Sequence, residues 1–285
     1  MTIAFTDVHD SVTPGQSLVR PQRSQTVGLV PFLFGVTGTE ELAGVVLVRL
    51  LGELGVGEAA ARGQLARMRR DGQLSASRRG RGVGYRLFGP FATTFARLRS
   101  SGQRPPPSWQ GHFHALLYQV PEAQRAYRDR LRRTAQLLGY GLMQQGVLIA
   151  VQDLSNELAA VLADSPPGCR VHQATLGLPT TEAAQIARAA WDLDSVQDNF
   201  RGHIATLSAA LTADGPLPAT AGTLRRLAQL LNPPNVDLID DPGLPVELLP
   251  ANWPGRELAH LISQVCGRYQ PPAAQHVHAV IASAR

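Results

Sequence analysis

The sequence predicts an α+β protein of several domains: a winged helix-turn-helix, then a ferredoxin-like βαββαβ domain, then an all-helical C-terminal domain. Its length of 285 residues corresponds to about two or three domains at ~100–150 residues each. Its positive charge is concentrated in one short segment near the N-terminal third. The hydrophobic patterns change along the chain, from a helix pair with a hairpin, to strands mixed with helices, to helices alone.

The basic segment lies between Gly57 and Phe88. It holds eight arginines and two acidic residues, a net charge of +6, and because the whole chain carries +5, the rest sums to −1. All 27 basic residues of the chain are arginine. A local excess of positive charge on a nearly neutral body is typical of a module that binds a polyanion, although a solvated basic face has the same composition.

Composition argues against several classes of protein. No apolar run reaches the ~18–20 residues that a membrane span needs, so we expect no membrane protein. Residues 1–25 lack the basic start and apolar stretch of a signal peptide, which makes the cytoplasm the expected location. The two cysteines, Cys169 and Cys266, are too few for a disulfide scaffold or a cysteine-rich zinc site, and we expect them to be small buried residues.

The first 26 residues are polar and lack a sustained period, so we predict a flexible arm over residues 1–26. A winged helix-turn-helix is predicted over residues 27–103. Its elements are two helices joined by a glycine-containing turn, a two-stranded hairpin with an arginine-glycine tip, and a further helix. These elements are expected at Glu40–Leu54, Glu58–Arg70, Leu74–Ser77, Val83–Leu87 and Phe91–Ser100.

The second helix and the hairpin carry the candidate DNA-binding residues. When Ala61, Leu65 and Met68 face the core, Arg62 and Arg67 face outward. Arg62 can offer a bidentate donor to guanine in the major groove, whereas the other arginines are better placed for phosphates. The arginines assigned to DNA are Arg62, Arg67, Arg69, Arg70, Arg78, Arg79 and Arg81. The alternative is a winged helix that serves only as a protein interface.

A ferredoxin-like domain is predicted over residues 104–178, after a proline-rich linker that begins it. The elements follow the order strand, helix, strand, strand, helix, strand, which is the split βαβ order. They are expected at Gly111–Val120, Glu122–Leu138, Tyr140–Met143, Gly146–Val151, Leu154–Ala163 and Cys169–Thr175. His112 and His114 alternate on the first strand without a nearby carboxylate, so we expect a polar strand face and no metal site.

A helical domain for dimerisation and effector response is predicted over residues 179–285. Its helices are expected at Thr180–Ala190, Leu193–Ala210, Ala221–Leu231, Gly255–Arg268 and Pro272–Ser283. Asn232–Pro254 holds six prolines and no regular period, which predicts an extended loop. A single winged helix has too small a footprint for tight operator binding, so we expect a homodimer. Its interface is expected on the amphipathic helices Leu193–Ala210 and Glu257–Arg268.

Short motifs occur in all three predicted domains, at residues 47–56, 59–72, 107–111, 138–141, 146–149, 190–193, 241–245 and 248–255. Together they resemble the phenylacetate-degradation repressor (PaaX) family. The resemblance covers roughly residue 27 to the C-terminus. It implies a homodimeric bacterial transcription factor, usually a repressor of aromatic catabolism, that binds double-stranded operator DNA. The best-known member of the family responds to phenylacetyl-CoA.

Two departures from the family bear on function. Asn232–Val236 stands where the family tends to carry a histidine-glutamate-tyrosine-arginine stretch, so phenylacetyl-CoA is one candidate effector among several. The family's middle domain is similar to a small CRISPR-associated nuclease whose first strand ends in a metal-binding aspartate. Leu117–Val120 has no carboxylate at that place, so we expect neither an enzyme nor a metal or cofactor.

Four residues are candidates for effector binding: Trp109, Arg128, Arg132 and Trp191. The tryptophans, together with Trp253, could line a slot for an aromatic acyl group, or they could anchor the core. The two arginines lie four residues apart on one predicted helix and could hold a phosphate, or they could form a solvated face. A ligand-responsive regulator is the leading interpretation. The alternatives are an effector-independent architectural DNA-binding protein and, least favoured, a metal-dependent nuclease.

Overall fold

A computed structural model describes residues 25–79, 82–100, 108–212, 215–238, 241 and 243–284. The N-terminal elements are α1 (Gln25–Thr37), β1 (Leu42–Ala43), α2 (Gly44–Glu53), α3 (Glu58–Arg70), β2 (Leu74–Arg79), β3 (Gly82–Leu87) and α4 (Gly89–Ser100). The central elements are β4 (His112–Gln119), α5 (Arg125–Leu138), β5 (Gly141–Gln144), β6 (Val147–Ala150), α6 (Ser155–Ala163) and β7 (Arg170–Gly177). The C-terminal helices are α7 (Thr180–Ala190), α8 (Leu193–Leu211), α9 (Ala221–Asp237) and α10 (Gly255–Ser283).

The helix pair α2 and α3 packs with a small antiparallel sheet whose strand order is β1-β3-β2. The expected helix from Glu40 is wrong at its start, because Leu42 and Ala43 form β1 instead. Leu42 pairs with Tyr85 of β3, and its side chain is 2% exposed. The cross-strand pairing supplies backbone hydrogen bonds that this segment would otherwise find in a helix.

The central sheet contains four strands in the order β5-β6-β4-β7, and all neighbours are antiparallel. Helices α5 and α6 pack on the face that carries Leu116 and Leu148. Helix α7 packs on the opposite face, over Phe113 and Ile149. Because successive side chains of a strand point to opposite faces, the apolar run in β4 supplies both layers.

The sequence predicts a loop from Asn232, but α9 continues through Pro233 and Pro234 to Asp237. A proline in a helix interior removes one backbone hydrogen bond and normally breaks the helix. Here the buried side chains of Leu230 and Leu231 continue directly into a buried Pro234, so packing holds the segment helical. The prediction of an extended loop is therefore wrong for residues 232–237, which form about the last turn and a half of α9.

The last two predicted helices are one helix, α10, which runs through Pro271 and Pro272. Tyr269 and Ala273, on either side of the two prolines, are 4% and 0% exposed in the same core. The predicted division is wrong because burial on both sides keeps one helical axis despite the missing backbone bonds. No helix in the described ranges is long and apolar enough to cross a membrane.

One hydrophobic core joins the two ends of the described chain. Its buried residues come from α1, α2 and α3 and also from α8, α9 and α10. Helix α1 approaches α9 so closely that a Cβ on Gly28 would overlap Oδ1 of Asn232. The predicted winged helix and the predicted C-terminal domain therefore share a core, although the sequence suggests separate units. Helix α1 also takes in the last two residues of the predicted arm, and residues 1–24 lie outside the described ranges.

Candidate nucleic-acid interface

Helix α3 buries one face and exposes an arginine-rich face. Ala61, Leu65 and Met68 are 0%, 2% and 2% exposed, as the helical period predicts. Arg62 and Arg67 lie on the opposite, exposed face. Helix α3 also begins and ends at the predicted residues, because Gly57 precedes its first turn and Asp71-Gly72 follows its last.

Arg62 is held in the structure by an acidic neighbour one turn earlier. Its Nη2 lies 2.6 Å from Oε1 of Glu58, and its Nε donates to the same oxygen at 3.0 Å. Both side chains are more than two-thirds exposed, so the pair contributes only ~0.3–0.5 kcal/mol, as is typical of an exposed helix pair. A guanine base that offers two acceptors can therefore displace Glu58 at little cost.

The last turn of α3 presents three further arginines, Arg67, Arg69 and Arg70. All three are exposed, and none makes an ion pair with the described part of the chain. Cationic side chains are favoured at a helix C-terminus, because they interact with the negative end of the helix dipole, so three arginines in this turn do not destabilise the helix. Their guanidinium groups remain available for phosphate oxygens.

The β2–β3 hairpin extends from this helix pair and carries the other candidate residues. Arg78 is exposed on β2 and pairs across the strands with Val83. Arg79 is the last residue of β2, and Arg81 lies outside the described residues. The hairpin is longer than predicted, because the ladder runs from Leu74↔Leu87 to Arg79↔Gly82.

An ion pair that the sequence does not indicate connects the hairpin to the residue before β1. Nε of Arg86 donates to Oε2 of Glu41 at 2.8 Å. The Glu41 side chain lies over Gly84, where a Cβ would be 2.5 Å from Oε1. Arg86 therefore contributes less free positive charge than its place in the basic segment suggests. The partners are 45 residues apart in sequence, so no local pattern indicates the pair.

Contacts that the sequence does not indicate also connect α2 to the C-terminal helices. Nε2 of His276 in α10 lies 2.7 Å from Oε2 of Glu53. Arg225 of α9 donates through Nε and Nη2 to the Glu53 carbonyl at 3.0 and 2.8 Å. Arg49 donates to Oγ of Ser283 at 3.1 Å. These bonds connect the candidate DNA-binding helices directly to α9 and α10.

Of the two tryptophans expected in an effector site, Trp191 lies in the core beneath α7, and Trp109 is partly buried against that core. Trp191 is 3% exposed, and its Nε1 donates to the Gly139 carbonyl at 3.1 Å. Its ring is 6.0 Å from that of Phe113, which is 4.7 Å from the ring of Trp109. This arrangement matches the alternative that the tryptophans anchor the core.

The two arginines expected in that site lie on α5, on the other face of the central sheet. Nη1 of Arg128 donates to Oε2 of Glu122 at 2.8 Å, and this hydrogen bond lowers the pKa of the Glu122 carboxyl. Nε of Arg132 is buried and has no hydrogen-bond partner among the described residues. Because the sheet separates them, the structure does not bring Arg128 and Arg132 together with Trp109 and Trp191.

The two histidines of β4 lie side by side on one face of the strand. The rings of His112 and His114 are 5.3 Å apart. Within the described ranges, no group of three or more histidine, cysteine, aspartate or glutamate side chains is placed to hold a metal ion.

Comparison with known proteins places three family models in sequence order along the chain. The model described as "PaaX-like protein" matches residues 37–89, the "PaaX protein central Cas2-like domain" matches 106–184, and the "PaaX-like protein C-terminal domain" matches 191–279. Among solved structures, the uncharacterized protein Rv0674 from Mycobacterium tuberculosis is similar in fold, with 23% identity and a TM-score of 0.50 over 88% of this chain and 96% of that chain. No curated protein matches the chain significantly.

Proposed function

The chain belongs to the PaaX family, and we propose that it is a transcriptional repressor that binds operator DNA as a homodimer and is released by an acyl-CoA-type effector. The three family domains suggest a regulator of phenylacetate catabolism. Its DNA-binding part is a winged helix-turn-helix made of α2, α3 and the β2–β3 hairpin.

The exposed arginine face of α3 is the observation that carries this proposal. A B-DNA major groove is about 12 Å wide and admits one α-helix. Helix α3 offers Arg62 near its N-terminal end and the cations of its last turn at the other. The first can read a base edge, whereas the others can bind the phosphates that flank the groove. The hairpin then extends the contact along the DNA backbone.

The central sheet supports the ferredoxin-like assignment. In chain order, the second strand pairs with the third, the third with the first, and the first with the fourth, as expected for a βαββαβ unit. A metal-dependent nuclease is the least supported alternative, since Leu117–Val120 at the end of β4 contains no carboxylate. We therefore assign this domain a structural and regulatory role.

The proposed dimer needs surfaces that the chain does not already use. The expected interface helices α8 and α10 bury their apolar residues within the chain, among them Phe200, Leu207 and Val265. Contact between two copies through these helices would therefore use their remaining, more polar faces. A two-fold arrangement would place two α3 helices on symmetric half-sites, one helical turn of DNA or a multiple apart.

Fluorescence anisotropy with the operator, identified by selection from random DNA, tests the proposal. Arg62→Ala should cost about 1–3 kcal/mol of operator affinity and relax base preference at one position of each half-site. Arg133→Ala, at an exposed site on α5, is the matched control and should leave binding unchanged. Equal losses on operator and random DNA would mean that Arg62 touches only phosphate. Unchanged binding to both would contradict α3 as the reading helix.

A further inference from the structure

A cleft of about 760 Å³ lies between α8, α10 and the segment that precedes α10. Its lining includes Arg201 on α8, Trp253 in the preceding segment, and Arg256, Glu257 and His260 on α10. Ligand sites for molecules of drug or cofactor size are typically about 300–1,000 Å³, so the cleft is large enough for a nucleotide-sized molecule. The sequence already suggests Trp253 for an aromatic slot, whereas the other lining residues lie outside the effector site expected from the sequence.

The cleft combines an aromatic surface with cationic side chains. The ring centroid of Trp253 lies 5.6 Å from that of Phe200. Because Trp253 is only half-buried, part of its side chain remains accessible. Arg256 is exposed and makes no ion pair within the described part of the chain. Arg201 pairs with Asp198 at 3.3 Å, but both are more than half exposed, so this bond is easily exchanged. Glu257 is the carboxylate in the lining and disfavours a purely anionic ligand there.

The segment that carries Trp253 is held in place before any ligand binds. Nε2 of Gln197, which is 8% exposed, points to the carbonyls of Ala251 and Asn252 at 3.5 and 3.4 Å. A Cβ on Gly255 would lie 2.7 Å from Nε1 of Trp253, so the indole lies directly against the start of α10. A site whose aromatic surface is already positioned loses less entropy when a ligand binds.

Trp253 also connects the cleft to the core that contains α2 and α3. Its side chain packs against the core shared by α1–α3 and α8–α10, and also against the core beneath α7. The first of these cores contains the buried residues of the DNA-binding helices, and α10 is bonded to α2 through His276 and Glu53. A ligand that shifts Trp253 or α10 therefore acts on packing that reaches α2 and α3.

We propose that this cleft is the effector site and that it binds an anionic ligand bearing a planar aromatic group, of the size of a nucleotide-containing thioester. The inference rests on the proposed function and relocates its effector. The planar group stacks on Trp253. The anionic group pairs with Arg256 and, after displacing Asp198, with Arg201. Such a ligand releases DNA only if it prefers the state that binds operator weakly.

Titration calorimetry on the full chain tests this with phenylacetyl-CoA, coenzyme A and phenylacetate as separate probes. Coenzyme A alone tests the phosphates and the adenine, whereas phenylacetate tests the aryl carboxylate. We expect one of them to bind, and Arg256→Gln to weaken it roughly tenfold or more, the loss typical of one charge-assisted hydrogen bond. Arg226→Gln, at an exposed arginine of α9, is the control and should bind like the wild type. The bound ligand should also lower operator affinity in the wild type and fail to do so at the same concentration in Arg256→Gln.

Trp253→Phe is a second test, with circular dichroism to show that the variant folds. A ligand-dependent fluorescence change that is lost in this variant and kept in Trp109→Phe would identify Trp253 as the stacking surface, because Trp191 is buried whereas Trp109 is only partly buried. Unchanged ligand affinity in Arg256→Gln and Arg201→Gln would overturn the proposed site while the regulator remains. Absence of binding by all three probes to a wild-type protein that still binds operator would overturn both this site and the effector part of the proposed function.

Discussion

Replacing Gly63 by alanine should change folding stability and DNA binding in opposite directions. Gly63 lies in the interior of α3 on its exposed face, and no atom outside the neighbouring helical backbone lies within 4 Å of the position of an added Cβ. Alanine is favoured over glycine in a helix interior by about 0.8–1 kcal/mol. Gly63→Ala should therefore raise the free energy of unfolding by about that amount, or roughly 2–4 °C in Tm.

Operator affinity should fall in the same variant. Gly63 follows Arg62 on the face that we place in the major groove, where the absence of a side chain lets the DNA come close to the helix backbone. An extra methyl group in a well-packed contact costs about 1–3 kcal/mol. The dissociation constant of the operator complex should therefore rise by about 5- to 150-fold, since each 1.4 kcal/mol is a factor of ten.

The matched control is Gly35→Ala in α1. Gly35 is exposed in a helix and also has no neighbouring atom within 4 Å of an added Cβ. It should show the same stability gain by thermal denaturation and no change in operator affinity by fluorescence anisotropy. If Gly63→Ala bound operator as tightly as the control, DNA would not approach this part of α3. If Gly63→Ala lowered Tm, the assignment of Gly63 to an open helix face would be refuted.

Three further predictions follow from packing, charge and symmetry. Gly141→Ala places a Cβ 2.6 Å from the Trp191 ring and should cost about 1–3 kcal/mol in denaturant unfolding, whereas unchanged stability would contradict the close packing of α7 on β5. Replacing the hairpin arginines together by neutral residues should make operator binding less dependent on salt. The slope of log K for binding against log salt should decrease in magnitude by about 0.9 for each DNA phosphate that these side chains neutralise in the wild type. An unchanged slope would place the hairpin away from the DNA backbone. The arginines to replace are Arg78, Arg79 and Arg81. Light scattering at micromolar concentration should give about twice the 30.6 kDa of one chain, and a monomer mass would contradict the proposed homodimer.

Local patterns in the sequence were sufficient for the elements that depend on near neighbours. The bounds of α3 and α7 agree with prediction, because a 3.6-residue period and flanking glycine or proline mark both helices. The exposed arginine face of α3 follows from the same period, since burying Ala61, Leu65 and Met68 leaves the opposite side to solvent. Motif order along the chain was likewise sufficient to predict the family.

Contacts between distant segments decided the rest. Strand β1 forms because Leu42 pairs with Tyr85 of β3. The charge of Arg86 is partly neutralised because this side chain forms an ion pair with Glu41. The sheet places Trp191 and Arg128 on opposite faces, although their residue types suggested one ligand site. Pro233, Pro234, Pro271 and Pro272 lie inside helices because burial against remote segments outweighs the local backbone preference of proline. Burial of apolar side chains also joins both ends of the chain in one core. Hydrophobic period and composition describe one segment of the chain at a time. They therefore do not indicate which distant segment will pack against it.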